Sequence, residues 1–190
     1  MAITHKTVAT AQAPTGGAEI GGNQWNENHD GFITKTLSAD LSNSTTTLTK
    51  VTNLDQAVGV GTWVFMYFIR HQAAATTTGI QFSVNYTGTV TSFVANKRIV
   101  ESTTAASTGA QSGAANGVTL VSGGSAREKS TTTPLGKTIS ADAINANLLT
   151  IIEGLMVITV AGNIELYHGS EVAAATTVKQ ASSLILIKIA

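Results

Sequence analysis

Residues 148–168 read LLTIIEGLMVITVAGNIELYH, and this stretch decides the fold. Residues 148–160 are dense in Leu, Ile and Val, the following Ala-Gly-Asn tolerates the positive φ of a tight turn, and residues 164–168 alternate apolar and polar side chains. The pattern predicts a β-hairpin with a buried first arm. Because that arm is apolar on both sides of the strand around Glu153, one side can pack in the core of its own chain and the other needs a partner.

A helix is the alternative for part of this stretch. Either Ser140 or Asp142 could cap a helix whose apolar side chains, between residues 144 and 155, recur near the helical period. However, β-branched residues crowd positions 150–160, and Gly154 would interrupt the helix in its most apolar part. We therefore predict strands.

The composition excludes several classes of function. The 190 residues suit one ordinary domain plus an extension, and 11 basic and 11 acidic residues give zero formal charge, so no basic surface for nucleic acid is expected. Charged residues make up only 12% of the chain, a low share that fits a surface of rigid sheet or of contacts between subunits. Cysteine is absent, and no apolar run is long enough to cross a membrane.

Residues 1–31 differ from the rest of the chain, since they are Gly-rich and poor in apolar side chains. Such a segment cannot build a core alone. Its one large aromatic residue, Trp25, is surrounded by amide and acid side chains. Either Trp25 folds onto its own domain, or the segment is an anchoring arm that reaches another protein. For the anchor we select Trp25, Asn26, Asn28 and His29.

From residue 32 onward, short β-type runs are separated by Ser, Thr and Gly clusters. Residues 79–86 and 89–100 predict a second hairpin. Three runs are apolar on both sides: residues 61–72 (GTWVFMYFIRHQ), 148–161 and 183–190. If these three strands adjoin in one sheet, that sheet has the core on one side and another subunit on the other. The residues assigned to the subunit interface are Trp63, Phe65, Tyr67, Ile151, Leu155, Leu184 and Leu186, although alternation does not decide which side of a strand faces outward.

The run IIEGLMVITVAGNIEL at residues 151–166, followed by the terminal SSLILI at 182–187, resembles the end of a jelly-roll domain that recurs in virion proteins of tailed bacteriophages. That domain is similar to the trimeric tumour-necrosis-factor and C1q heads. Residues 45–53 and 61–72 resemble its opening strands, and residues 21–29 resemble leader segments of phage structural proteins. The resemblance implies an all-β, antiparallel jelly-roll sandwich that forms a homotrimer, with residues 32–190 as the trimerisation domain and residues 1–31 as the arm.

The function implied is that of a virion structural protein assembled in the host cytoplasm. We expect a trimeric capsid decoration protein or head appendage whose arm binds the major capsid protein or a tail protein. The alternative is a tail-tip or tail-fibre module that recognises a host-surface glycan or protein through the polar loops of residues 101–133. Neither reading involves nucleic acid or a membrane.

No sequence motif indicates a metal site or a cofactor, and the one candidate for catalysis is Glu153, which could be a general acid with a raised pKa, although we favour a structural role for it. The four histidines are scattered without metal-ligand spacing, and Gly136-Lys137-Thr138 lacks the first glycine of a phosphate-binding loop. Glu153 is the one acid in an apolar strand. We expect it to form a buried ion pair with Arg70, within a chain or between subunits, because an unpaired charge there would be strongly destabilising.

Overall fold

This computed structural model describes residues 31–100, 118–120, 130–135, 139–140, 144–145 and 147–190. The described residues contain thirteen β-strands. These residues contain no helix, so the all-β class predicted from the sequence is confirmed. The strands are β1 (Phe32–Thr36), β2 (Leu41–Asn43), β3 (Thr49–Lys50), β4 (Gln56–Val58), β5 (Gly61–Ala73), β6 (Gly79–Tyr86), β7 (Thr89–Val100), β8 (Val118–Leu120), β9 (Ile139–Ser140), β10 (Leu148–Val160), β11 (Gly162–Ser170), β12 (Thr176–Val178) and β13 (Ser183–Lys188).

The strands form two antiparallel sheets with a common hydrophobic core. The first sheet has the order β1, β13, β5, β10, β7 and β8, and β2 and β12 extend it beside β5. The second sheet has the order β3, β11, β6 and β9, with β4 also paired to β11. The three strands that are apolar on both sides, β13, β5 and β10, are consecutive neighbours in the first sheet. The condition set for a sheet with two apolar sides, namely that these three strands adjoin, is therefore met.

Neither predicted hairpin exists. Although β10 and β11 follow each other in the chain, β10 pairs with β5 and β7 in the first sheet, whereas β11 pairs with β3, β4 and β6 in the second. Likewise, β6 lies in the second sheet and β7 in the first. Both predictions were wrong because a short turn with alternating flanks looks the same whether the chain folds back within one sheet or crosses to the opposite one.

The two crossings between the sheets pack against each other. The backbone N–H of Asn163 donates to Thr87 Oγ1 at 2.8 Å, and the N–H of Thr87 donates to the carbonyl oxygen of Asn163 at 3.0 Å. A Cβ on Gly162 would lie 2.2 Å from the backbone nitrogen of Gly88. Glycine is therefore required at position 162 because the two chain segments approach so closely.

Aromatic rings fill the centre of the sandwich. Phe65 and Tyr67 of β5 and Phe82 of β6 are fully buried, and the Phe65 ring stacks on Phe93 of β7 with 5.5 Å between ring centroids. Gly154 of β10 leaves space for the Phe65 ring, since a Cβ there would lie 2.4 Å from Phe65 Cζ. Packing in the core thus fixes which side of β5 and β10 points inward.

A helix was the alternative considered for residues 144–155. In the structure, residues 148–155 belong to strand β10, which begins at Leu148. The predicted limits of β6 and β7 agree with the structure, and β5 extends one residue beyond its predicted end. The predicted arm, residues 1–31, lies outside the described residues except for Gly31, whose carbonyl oxygen accepts a hydrogen bond of 2.6 Å from the N–H of Lys188.

Candidate functional site: the outer face of the first sheet

The side chains of the first sheet that point away from the core form a surface that we call the outer face. It is composed of alternate residues of β1, β13, β5, β10 and β7, aligned in rows by the strand registers. One row runs from Phe32 through Ile187, Val64 and Leu155 to Val94. Every residue of this row is apolar, and its two ends and Ile187 are 40–44% exposed.

The other rows mix apolar side chains with polar ones such as Thr34, Asn96 and Ser183. The apolar members of the outer face are Phe32, Val64, Met66, Phe68, Val94, Leu149, Ile151, Leu155, Val157, Ile185 and Ile187. The members on β5 and β10 and Ile185 of β13 are half-buried, whereas Phe32, Val94 and Ile187 are exposed. An outward sheet face in contact with water is normally polar, so this surface is unusual for an isolated chain.

The second sheet has an outer surface of the ordinary polar kind. There Glu165 accepts hydrogen bonds from Asn85 Nδ2 at 3.1 Å and from the Tyr167 hydroxyl at 3.0 Å, and its other oxygen lies 3.4 Å from Lys50 Nζ. Lys50 also pairs with Asp55 at 3.3 Å. The two outward surfaces of the sandwich therefore differ in character, and the first sheet carries the more apolar one.

An ion pair lies within the apolar outer face. Arg98 Nη2 of β7 donates to Glu153 Oε2 of β10 at 2.5 Å, and the two side chains are 29% and 32% exposed. Glu153 is opposite Asn96 and Ile151 is opposite Arg98, so the charged residues are diagonal neighbours on adjacent strands. Because each charge neutralises the other, this part of the face can be covered at a lower electrostatic cost than an isolated charge would impose.

Glu153 therefore pairs with Arg98 and not, within one chain, with Arg70. Arg70 is on β5 opposite Leu149, whereas Glu153 is opposite Met66, four residues away along the same strand. The prediction of a pair within the chain was wrong because β7, which carries Arg98, was not expected beside β10.

The structure divides the seven predicted interface residues between two sides of the sheet. Ile151 and Leu155 lie on the outer face. The other five, Trp63, Phe65, Tyr67, Leu184 and Leu186, point into the sandwich and are at most 4% exposed. Their rings and branched chains pack against the second sheet, so the surface available to a partner is formed by the alternate residues of the same strands. All four predicted anchor residues, Trp25, Asn26, Asn28 and His29, lie outside the described residues.

Two histidines are buried in the core. His71 of β5 is 1% exposed and its Nε2 lies 2.9 Å from Thr150 Oγ1. Burial, with a smaller contribution from the charge of Lys97, lowers the pKa of His71 to about 3. His168 of β11 is fully buried, neither ring nitrogen has a hydrogen-bond partner within the described part of the chain, and burial lowers its pKa to about 4. Both rings are neutral at pH 7 and act as core side chains.

Comparison with known proteins gives no family. No protein-family model matches the chain, and no curated protein matches it. Among the described residues, no group of three His, Asp or Glu side chains is placed to hold a metal ion. The same residues include no helix long and apolar enough to cross a membrane. The outer face is thus the feature of the described structure that most strongly suggests a function.

Proposed function

We propose that this protein is a structural component of a bacteriophage virion, a capsid decoration protein or head appendage, and that it is a homotrimer of jelly-roll domains. In this proposal it is not an enzyme. The outer face of the first sheet covers the neighbouring copies, and residues 1–31 attach the trimer to the particle. The observation that carries the proposal is the apolar outer face on β13, β5 and β10.

The order of the strands supports a jelly roll. We count β1, the pair β3 and β4, β5, β6, β9, β10, β11 and β13 as the first to the eighth strand. The first sheet then has the order first, eighth, third, sixth, and the second sheet has the order second, seventh, fourth, fifth. This order is the one expected for two interlocked Greek keys, and it supports the proposal of a jelly roll. In this description β7 and β8 are an insertion that widens the first sheet beyond β10.

The size of the outer face supports a homotrimer. From β1 to β7 the face spans five strands, or about 20 Å at the usual spacing, and from Leu149 to Val157 it is about 27 Å long. This footprint of roughly 500 Å² includes polar as well as apolar side chains, and patches of this size on protein surfaces are often functional. A preparation of the purified protein contains only copies of this chain. A second copy is therefore the partner that removes this surface from water in every molecule.

Replacing Leu155 by Asp tests the use of this face. Leu155 is in the middle of the apolar row on β10, so a carboxylate there would be buried without a partner when two copies meet. We expect wild-type protein to sediment as a trimer and Leu155→Asp to sediment as a smaller species. Val172→Asp is the matched control, since Val172 is 44% exposed and lies outside the first sheet, and it should remain trimeric. A folded, soluble monomer of wild-type protein would contradict the homotrimer.

Antibody labelling of purified virions tests the place of the protein in the particle. Label distributed over the head is expected for a decoration protein or head appendage. Label confined to the tail tip would instead favour the module that recognises the host surface, and virions without label would contradict both.

A further inference from the structure

Three charged side chains lie on the outer face among its apolar and uncharged polar residues: Arg98, Glu153 and Arg70. Glu153 accepts the hydrogen bond from Arg98 through Oε2, and within the described part of the chain its Oε1 accepts none. Arg70 is exposed, and no side-chain hydrogen bond or ion pair of its guanidinium is present among the described residues. Asp40 is within electrostatic range of Arg70, but its carboxylate bonds to the Lys179 ammonium and to the backbone N–H of Gln180. Among the described residues, therefore, Glu153 Oε1 and the Arg70 guanidinium are without a hydrogen-bond or ion-pair partner.

These two groups do not meet within one chain. Arg70 is opposite Leu149, and Glu153 is opposite Met66. Four residues of extended chain separate the two positions along β5, which corresponds to about 13 Å. Because the strands are held in this register by pairing on both sides of β5, neither side chain can shift toward the other without breaking the sheet.

We infer that Arg70 of one copy donates to Glu153 of the neighbouring copy, so that each Glu153 carboxylate lies between two arginines, one from each chain. The inference rests on the homotrimer proposed above and names a contact that holds it together. A closed ring of three copies uses heterologous contacts, in which one patch meets a different patch on the neighbour. Two complementary groups at different positions on the same face are suited to such a contact.

The energetics also favour this pairing. Covering Glu153 with the apolar side chains of a neighbour would remove water from Oε1 and leave it without a hydrogen bond. A second guanidinium supplies directional N–H donors to the carboxylate and brings Arg70 to an acid. The contact also fixes the relative position of two apolar surfaces that could otherwise slide past each other.

Chemical cross-linking tests the contact directly, because the native chain contains no cysteine. The variant with Arg70→Cys and Glu153→Cys is treated in its assembled state with a short bismaleimide whose span matches the two replaced side chains. We expect covalent dimers and trimers on a denaturing gel. Each single substitution, and the pair Arg70→Cys with Asn85→Cys, should give mainly monomers, because Asn85 is on the outer surface of the second sheet.

The outcomes separate this inference from the proposed function. If the protein sediments as a trimer but the Arg70 and Glu153 double variant cross-links no more than the control pair, the contact is wrong and the trimer stands. If wild-type protein sediments as a folded monomer, both are wrong.

A second measurement does not require cysteine variants to fold. We expect Arg70→Met to raise the protein concentration at which the trimer dissociates by at least about tenfold, as loss of one partner of a covered charge pair does. Lys188→Met is the control, since Lys188 is an exposed cation of β13, and it should leave this concentration within about twofold of wild type. In the background of Glu153→Gln, Arg70→Met should have a much smaller effect. Equal effects of Arg70→Met in both backgrounds would overturn the inference.

Discussion

At the scale of single residues, the buried histidines link the stability of the fold to pH. An unfolded chain binds a proton on each histidine below about pH 6.5, whereas the native fold does not do so until about pH 4 at His168 and about pH 3 at His71. The unfolded state therefore binds more protons than the native state between these values, and the free energy of unfolding falls as the pH falls.

We expect each histidine to lower the free energy of unfolding by up to about 1.4 kcal/mol per pH unit below pH 6.5. The His168→Leu variant should lose one of the two contributions, so its stability should decline less steeply between pH 6.5 and pH 4.5. Chemical denaturation at fixed protein concentration measures both slopes. The same slope for variant and wild type would show that His168 does not titrate on unfolding in this range.

The sequence predicts that Glu153 forms an ion pair, but it does not predict which base is the partner. An acid among apolar β-residues needs a base, and this requirement follows from the sequence alone. The identity of the base depends on which strand lies beside β10. Arg98 is on β7, and the local pattern around residues 87–88 gave no indication that β7 leaves β6 and joins the opposite sheet.

At the scale of strands, hydrophobic alternation located the long elements well. β5, β6, β7 and β10 are long enough for the period of two to be visible, and each has many apolar side chains. The short strands β2 and β12 pair with each other through residues rich in Ser and Thr, so no apolar alternation marks them. Sheet membership and the inward side of β5 depend on contacts far apart in the sequence, and for this reason they could not be derived from it.

Within β10, Gly154 is required by packing between strands. A Cβ at this position would lie 2.1 Å from the carbonyl oxygen of Val94 on β7 and 2.4 Å from Phe65 Cζ. Since the first of these atoms is backbone, relief requires a shift of the strand, and Gly154→Ala should destabilise the fold by about 1–3 kcal/mol or more. Gly59→Ala is the control, because a Cβ there would meet nothing within 4 Å. Denaturant midpoints compare the two, and equal midpoints would contradict the close contact between β10 and β7.

At the scale of the whole molecule, the sandwich has two outward surfaces of opposite character. The second sheet is covered by hydrogen-bonded polar groups such as Glu165 and Asn85, and the first by apolar rows with one internal ion pair. In the proposed homotrimer, the first sheet makes the contacts between copies, and the second sheet and the loops face solvent or a ligand.

The arm is the remaining element of the proposed virion protein, and its removal separates attachment from folding. The deletion should end at residue 30, because the Gly31 carbonyl oxygen bonds to Lys188 and thereby belongs to the edge of the first sheet. Residues 1–30 are poor in apolar side chains, so the trimer without them should melt within a few degrees of the full chain. The same deletion should abolish binding to particles that lack the protein, measured by co-sedimentation. Trp25→Ala in the full chain should weaken that binding by about 2 kcal/mol or more, since a large aromatic that anchors a contact contributes that much. If the truncated protein still binds particles, the attachment site lies on the sandwich itself. Substitutions on its polar second sheet would then be the next ones to test.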